Sequence, residues 1–347
     1  MSNVKVAILV PPEDPDAPAD EADTFVQARE IHQCLTMLGN DPLTVVFGPD
    51  RAATADALRR HRPDVVVNLV EDLPEGPDQV FRVTECLDRL GLPYTGAGTR
   101  ALRALGDKRG MKRRLHDAGL PVPDDLDGRQ APGGGVGSTP PSSPVPPASP
   151  PIRYIVKSAI EHASIGIDGT SLVTGAEAAA ALLAARRAER GGAWLAEQFI
   201  DGREFNVAIL ETPEGPRALP PAEILFLDPT RPRILGYEEK WAEASAAYSA
   251  TPRRFSKTPA DAPLLAELTE LALAAWRAFD LTGYARVDFR VDEAGNPYIL
   301  ELNANPCLSA DAGFCAAARE AGLTQADIVA RLIETALVRT HPLAPDR

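Results

Sequence analysis

The chain has 347 residues, of which 24% are charged and 44% hydrophobic, and it carries a formal net charge of −13. This is ordinary globular composition, and the length suits two or three domains rather than one core. The acidic balance excludes the basic stripe of a nucleic-acid-binding surface, although a local site for an anionic small molecule need not follow the global sign.

Residues 4–10 read as a strand whose apolar run is too short for a signal peptide. No later stretch approaches the roughly 20 apolar residues of a membrane span, so a cytoplasmic protein without a membrane partner is expected. A helix over 22–38, strands over 43–47 and 64–70, and helices over 52–61 and 78–90 follow, with Gly91 as a C-terminal stop. That alternation predicts an α/β unit with a parallel sheet covered by helices. Gly96-Ala-Gly98-Thr-Arg-Ala101 imitates a dinucleotide fingerprint but lies at the end of this unit, not in its first βα turn, and is expected to be a tight turn. A helix over 108–118 ends at Gly119. Residues 130–151, with a glycine triplet and Pro-Pro pairs, form an extended or disordered linker by composition. Structure resumes with a strand at 152–157, a small-residue loop at 161–167, a helix at 175–190 and a buried strand at 194–200. Asp201-Gly202 is a turn and 204–210 a return strand. A strand at 217–227 and helices at 264–279 and 324–339 complete the order. Cys34, Cys86, Cys307 and Cys315 show no CxxC spacing and no zinc-ligand pairing with the five histidines, which fits reduced thiols.

The chemistry is concentrated near the C-terminal third. Residues 283–291 and 297–303 both alternate, with the turn chemistry Asp292-Glu-Ala-Gly295-Asn between them. Side chains two apart on a strand share a face, so Arg286 and Asp288 project together, against Val287, Phe289 and Val291. The same rule groups Ile299, Glu301 and Asn303 against Leu300 and Leu302. A hairpin closed symmetrically about its turn sets Asp288 against Glu301 and Arg286 against Asn303. Opposed carboxylates repel. Either a cation lies between them, for which oxygen-only ligands suit Mg²⁺ or Mn²⁺, or the face is solvated and Arg286 neutralises both acids. Lys108 opens a helix and Lys157 ends a strand; each in isolation reads as a surface lysine. Ala163-Ser-Ile-Gly166 offers backbone N–H groups of the type that cradle phosphate, without a GxxxxGK[ST] loop anywhere in the chain. Glu197 and Glu204 stand seven residues apart on either side of a turn.

The order of these pieces resembles the ATP-grasp superfamily, and within it the D-alanine–D-alanine ligase-like group, over the whole chain except the Pro-rich insert. The matching segments are Val67-Asn-Leu-Val-Glu71, Pro93-Tyr-Thr-Gly96, Gly106-Asp-Lys108, Ile155-Val-Lys157, Glu161-His-Ala-Ser-Ile-Gly166, the run from Glu197 to Ile209, Pro221-Ala-Glu-Ile224, Lys240-Trp241, Arg286-Val-Asp288-Phe and Glu301-Leu-Asn303-Ala-Asn-Pro306. The resemblance implies an N-terminal parallel-sheet domain over 1–104, a central lid domain over 105–200 and a C-terminal catalytic domain with a mixed sheet over 201–347. It implies that Lys108 and Lys157 reach the phosphates of ATP. Glu197 to Ile200 would hold adenine, in part through backbone groups of Gln198 and Ile200, and Glu204 would take the ribose hydroxyls. Ser164 and Gly166 would close over the phosphates. Asp288, Glu301 and Asn303 would hold two Mg²⁺ ions with Glu301 bridging, while Arg286 supports the transferring group and Lys240 joins it at the reacting end. The activity implied is an ATP-dependent carboxylate–amine ligase working through an acyl phosphate, on small-molecule acid and amine substrates, in a family that is commonly homodimeric.

Several positions depart from that pattern. Cys307 stands where a glycine follows the proline of the metal strand, and Ala312 where a serine helps bind the second substrate's carboxylate. Ala163 replaces a serine, Trp241 a tyrosine and Ser158 a commoner proline, while Pro11-Pro-Glu-Asp14 lacks the glutamate-bearing sequence that grips the first substrate's amine. The expected product is therefore not D-alanyl-D-alanine. A carboxylate kinase that stops at the acyl phosphate, and a non-catalytic nucleotide binder, remain as alternatives.

Overall fold

The computed structural model describes residues 3–14, 18–126, 151–161, 164–242 and 244–339. All of the expected linker except Pro151 lies outside the described residues. In chain order the first elements are β1 (Lys5–Val10), α1 (Ala19–Met37), β2 (Asp41–Val46), α2 (Arg51–His61), β3 (Val65–Asn68), α3 (Phe81–Leu90), α4 (Thr99–Leu105) and α5 (Lys108–Asp117). Then come β4 (Arg153–Ser158), β5 (Leu172–Thr174), α6 (Ala176–Arg190), β6 (Trp194–Gln198), β7 (Arg203–Thr212), β8 (Gly215–Ala218) and β9 (Ala222–Ile224). The chain continues with α7 (Tyr237–Trp241), α8 (Ala246–Ser249), β10 (Arg253–Arg254), α9 (Ala262–Ala278), β11 (Tyr284–Val291), β12 (Pro297–Asn303), α10 (Gly313–Glu320) and α11 (Gln325–Val338).

Three sheets organise these elements. The first is parallel, in the order β2-β1-β3. Its central strand β1 is buried on both faces from Val6 to Val10, as a strand covered by helices on either side must be. The second, β5-β4-β6, is antiparallel and small. The third, β10-β9-β7-β11-β12 with β8 on β7, is antiparallel and carries the hairpin. Helix starts follow local chemistry: the Asp107 carboxylate accepts hydrogen bonds from the N–H groups of Arg109 and Gly110, which fixes α5 with Lys108 as its first residue. Thr324 and Asp327 cap α11 reciprocally.

Some expectations need correction. Residues 217–227 do not form one strand; Pro220-Pro221 breaks the run, because proline lacks the N–H a ladder needs, and β8 and β9 result. Gly96–Ala101 is more than a turn, since Gly98 caps α4.

The hairpin carries the most consequential difference. Arg286 pairs with Asn303 and Asp288 with Glu301, as symmetric closure predicts, but Phe289 pairs with Ile299. Leu300 is thus extra, a β-bulge. Ile299 and Leu302 both enter the core, packed with Val287 and Phe289, whereas Leu300 and Glu301 both line a cavity on the other face. Ile299 and Leu300 have therefore exchanged the faces that simple alternation assigns them.

Candidate active site

On the open face of the large sheet lies a cavity with an empty volume of about 790 Å³, including the part open to solvent. Cross-strand register explains who faces it. Asp288 pairs with Asn206 of β7 and Arg290 with Glu204, so these side chains share one face, while Phe205 and Phe289 share the core face. The small sheet brings Lys157 and Glu197 to the opposite wall, and α7 brings Lys240. Of the expected residues, Lys108, Lys157, Ser164, Glu197, Gln198, Ile200, Glu204, Lys240, Asp288 and Glu301 all line this cavity. Arg286 lies just behind Asp288, and Gly166 is set back in the loop, with positive φ. A Cβ on Gly166 would come within 3.1 Å of the Trp194 ring, and with its positive φ a larger residue there would be strained. Asn303 lines a neighbouring cavity with Glu71, Thr95 and Asn305.

The charged groups are held in pairs. Arg286 Nε donates to Asp288 Oδ1 at 2.7 Å and its Nη2 donates to Oδ2 at 2.9 Å, while Asn206 Nδ2 also donates to Oδ1 at 2.7 Å. Burial disfavours the Arg286 charge, but the Asp288 carboxylate outweighs it and raises the guanidinium above its ordinary range. Lys108 Nζ lies 3.2 Å from Glu301 Oε1 and also donates to the Glu161 carbonyl. Arg286 thus makes a two-pronged pair with Asp288, and Glu301 has Lys108 beside it. Lys240, half-buried, is pulled below the ordinary lysine range by desolvation and then by Arg286. Glu204 is raised by burial, against the opposing charge of Arg290.

Two of the expected residues have partners within the protein. The Glu197 carboxylate is engaged by two lysines: Lys157 Nζ lies 2.7 Å from Oε1 and Lys112 Nζ 2.9 Å from Oε2. Burial alone would raise Glu197, yet the two ammoniums hold it below the ordinary carboxylate range. The Ile200 carbonyl accepts from Arg290 Nε at 2.9 Å, which leaves the N–H as that residue's backbone group for a ligand. In the loop, Ser164 takes a positive φ of 63° and its hydroxyl donates to the Leu235 carbonyl at 2.8 Å. Such strain in a non-glycine residue is a feature of functional loops.

Sequence reasoning missed Lys112 and Arg290. Arg290 is 2% exposed and donates to the Ile200 and Arg233 carbonyls and to Glu204 Oε2 at 3.1 Å. It continues the alternation of Arg286 and Asp288, a signal that was present. Past the hairpin, the Cys307 thiol donates to Asp23 Oδ2 at 2.8 Å, and the Ala310 N–H donates to Glu30 Oε2 at 2.8 Å, so one face of α1 grips the segment after β12. Burial and the nearby acids Glu71 and Asp23 push the thiol far up, and it stays protonated. All four cysteines are unpaired. Among the described residues no three His, Cys, Asp or Glu side chains gather as a metal cage; the hairpin offers two acids and an amide. No helix among them is long and apolar enough to cross a membrane.

Comparison with known proteins matches residues 150–334 to the family described as D-ala D-ala ligase C-terminus. A D-alanine–D-alanine ligase of Laribacter hongkongensis is 33% identical over 262 residues, 73% of each chain. One from Gluconobacter oxydans is 28% identical over 97% of this chain and 100% of its own. The D-alanine–D-alanine ligase of Bacillus anthracis solved with ATP superposes with a TM-score of 0.69 at 18% identity, over 96% of this chain and 97% of that one.

Proposed function

The chain belongs to the D-alanine–D-alanine ligase family of ATP-grasp enzymes, ATP-dependent carbon–nitrogen ligases, and from that premise we propose that it joins a small carboxylate to an amine through an acyl phosphate, with substrates other than two D-alanines. The observation that carries the site assignment is the convergence of three ammoniums, Lys108, Lys157 and Lys240, with three acids, Glu204, Asp288 and Glu301, on one cavity. An anion of high charge density suits the first set, and hydroxyls with a divalent cation suit the second.

In this reading Lys108 and Lys157 take the phosphates of ATP, Gln198 and the Ile200 N–H hold the base, Glu204 accepts from the ribose, and Ser164 to Gly166 close over the phosphates. The donor set Asp288, Glu301 and Asn303 is all oxygen and stands in neighbouring register positions, which fits Mg²⁺. Asp288, Glu301 and Asn303 would hold the Mg²⁺, which would supply positive charge against the triphosphate. Phosphoryl transfer asks mainly for positioning and cationic charge, and Arg286, Lys240 and Lys108 provide it. A carboxylate oxygen of the acid attacks the γ-phosphorus and ADP leaves. The amine nitrogen then adds to the acyl carbon, gives up a proton, and phosphate departs with the carboxylate oxygen. Arg286 supports the oxyanion of that addition.

Substrates other than D-alanine are supported by the acceptor side. Ala312 caps α10 without a hydroxyl. Cys307 adds a thiol tied to α1, and Trp241 ends α7. Assay of ADP release over paired D- and L-amino acids and small carboxylic acids, with mass analysis, identifies the pair. Release is expected only when both partners are present, and ¹⁸O from a labelled carboxylate should appear in inorganic phosphate. Unlabelled phosphate would rule out the acyl phosphate, and efficient D-alanyl-D-alanine synthesis would rule out the substrate reading.

A further inference from the structure

Lys112 lies one helical turn after Lys108 on α5, is 3% exposed and stays outside the cavity lining. Its Nζ lies 2.8 Å from Asp125 Oδ1 and 2.9 Å from Glu197 Oε2, while Lys157 Nζ lies 2.7 Å from the other Glu197 oxygen. The Glu197 side chain is 2% exposed and that of Asp125 40%. Two buried ammoniums therefore share one buried carboxylate, and the second carboxylate is partly in water, which screens it. The buried part of the cluster carries surplus positive charge, which is costly to hold away from water. The only member of that buried part on the cavity lining, besides Glu197 itself, is Lys157.

A purely structural role would have Lys112 tie the segment around Asp125 to the small sheet. That segment is already fastened by its backbone: the Leu126 N–H donates to the Ala196 carbonyl at 2.9 Å and the Gln198 N–H to the Asp124 carbonyl at 2.8 Å. The charge of Lys112 has a different consequence. Without it, Lys157 and Glu197 form a closed neutral pair, and an arriving anion must compete with Glu197 for the ammonium. With it, one Glu197 oxygen is taken up, and the buried part of the cluster holds two ammoniums against one carboxylate.

We propose that Lys112 is a positioning residue for the nucleotide phosphates: it engages Glu197 from behind so that Lys157 serves the cavity as a cation. This rests on the nucleotide-site reading above. The test is calorimetric titration of the full chain with magnesium AMP-PNP and, separately, with adenosine. Lys112→Met should weaken AMP-PNP by about tenfold or more, the scale of one charge-assisted hydrogen bond, and leave adenosine within about twofold. Lys112→Arg should bind both as the wild type does, and Lys112→Met with Glu197→Gln should recover AMP-PNP binding because Lys157 is no longer captured. Equal loss for both ligands, or no loss for either, overturns the proposal while the nucleotide site stands. A wild-type protein that binds neither ligand removes the nucleotide reading, and this proposal with it. Should Lys112→Met fail to fold, Glu197→Gln is compared with Glu197→Gln/Lys112→Gln: similar AMP-PNP affinity supports the proposal, and a further tenfold loss in the double variant overturns it.

Discussion

Asp288 stands opposite Glu301 across β11 and β12, and one unpaired residue, Leu300, makes that pairing compatible with the core. With Ile299 buried, strict alternation would send Glu301 inward, where an unpaired carboxylate is very costly. The bulge turns two successive residues outward and returns Leu302 to the core. Two acids are thereby aligned on one face of a rigid sheet.

Glu301→Gln is expected to cut ADP release, measured with the acid and amine that the substrate matrix identifies, by about a hundredfold or more, because the amide lacks the negative charge that a carboxylate brings to a divalent cation. Thermal stability should stay near that of the wild type, since the amide oxygen still accepts from Lys108, 3.2 Å away in the native pair. Glu301→Ala is the less clean variant, as it strands the buried Lys108. Near-wild-type ADP release by the glutamine variant would remove Glu301 from the metal set.

Arg290→Met should lower folding stability by about 3–5 kcal/mol, because it leaves buried Glu204 and two carbonyls without their donor. Urea titration reads this as a lower midpoint. A loss below about 1 kcal/mol, the ceiling typical of exposed pairs, would mean that water replaces the guanidinium.

Gly202→Ala tests how tightly the β6–β7 connection rests on the hairpin. A Cβ at Gly202 would fall 2.0 Å from the Val291 carbonyl oxygen, and φ there is +142°. The expected cost is about 3 kcal/mol, from overpacking combined with a backbone region nearly closed to alanine. A midpoint unchanged in urea would show that the turn shifts freely.

Asp261 supplies a pH test. Its carboxylate lies 2.8 Å from Arg203 Nη1 and accepts from the Ser256 hydroxyl; Arg203 and then Ser256 lower it from the ordinary 3.8 to about 2. A carboxyl whose folded value lies below its unfolded one adds stability above pH 3.8 and loses it as pH falls through 2. Asp261→Asn should therefore cost about 1 kcal/mol at neutral pH, the size usual for a partly exposed pair. The gap between the two proteins should close between those values, and a gap independent of pH would place the effect elsewhere.

Much of this was legible in the chain, where local chemistry is decisive. The α5 start needed only Asp107-Lys108, and the facing of Asp288 with Glu301 needed only alternation and a turn. Ile299 and Leu300 were misplaced because the bulge answers to the demands of Phe289 and Leu302 in the core, which period-two counting does not contain. Lys112 escaped notice for a different reason. A lysine four after another on a helix has the spacing of a solvated face, and its partner Glu197 is 85 residues away in sequence. Arg290 could have been found by carrying the Arg286–Asp288 alternation one step further to its register partner Glu204.

Residues from β1, β3 and α1 share a single apolar cluster with residues of β7, α10 and α11. The β5-β4-β6 sheet and α6, by contrast, share among the described residues an apolar cluster of five buried side chains: Val156, Ala179, Leu183, Trp194 and Ala196. Local opening follows such differences in buried contact, so backbone amides on β4 should exchange with deuterium well before those on β11. The wall that carries Lys157 should then open more readily than the hairpin that carries Asp288, and on the proposed nucleotide reading a triphosphate would meet it on the more yielding side of the cavity.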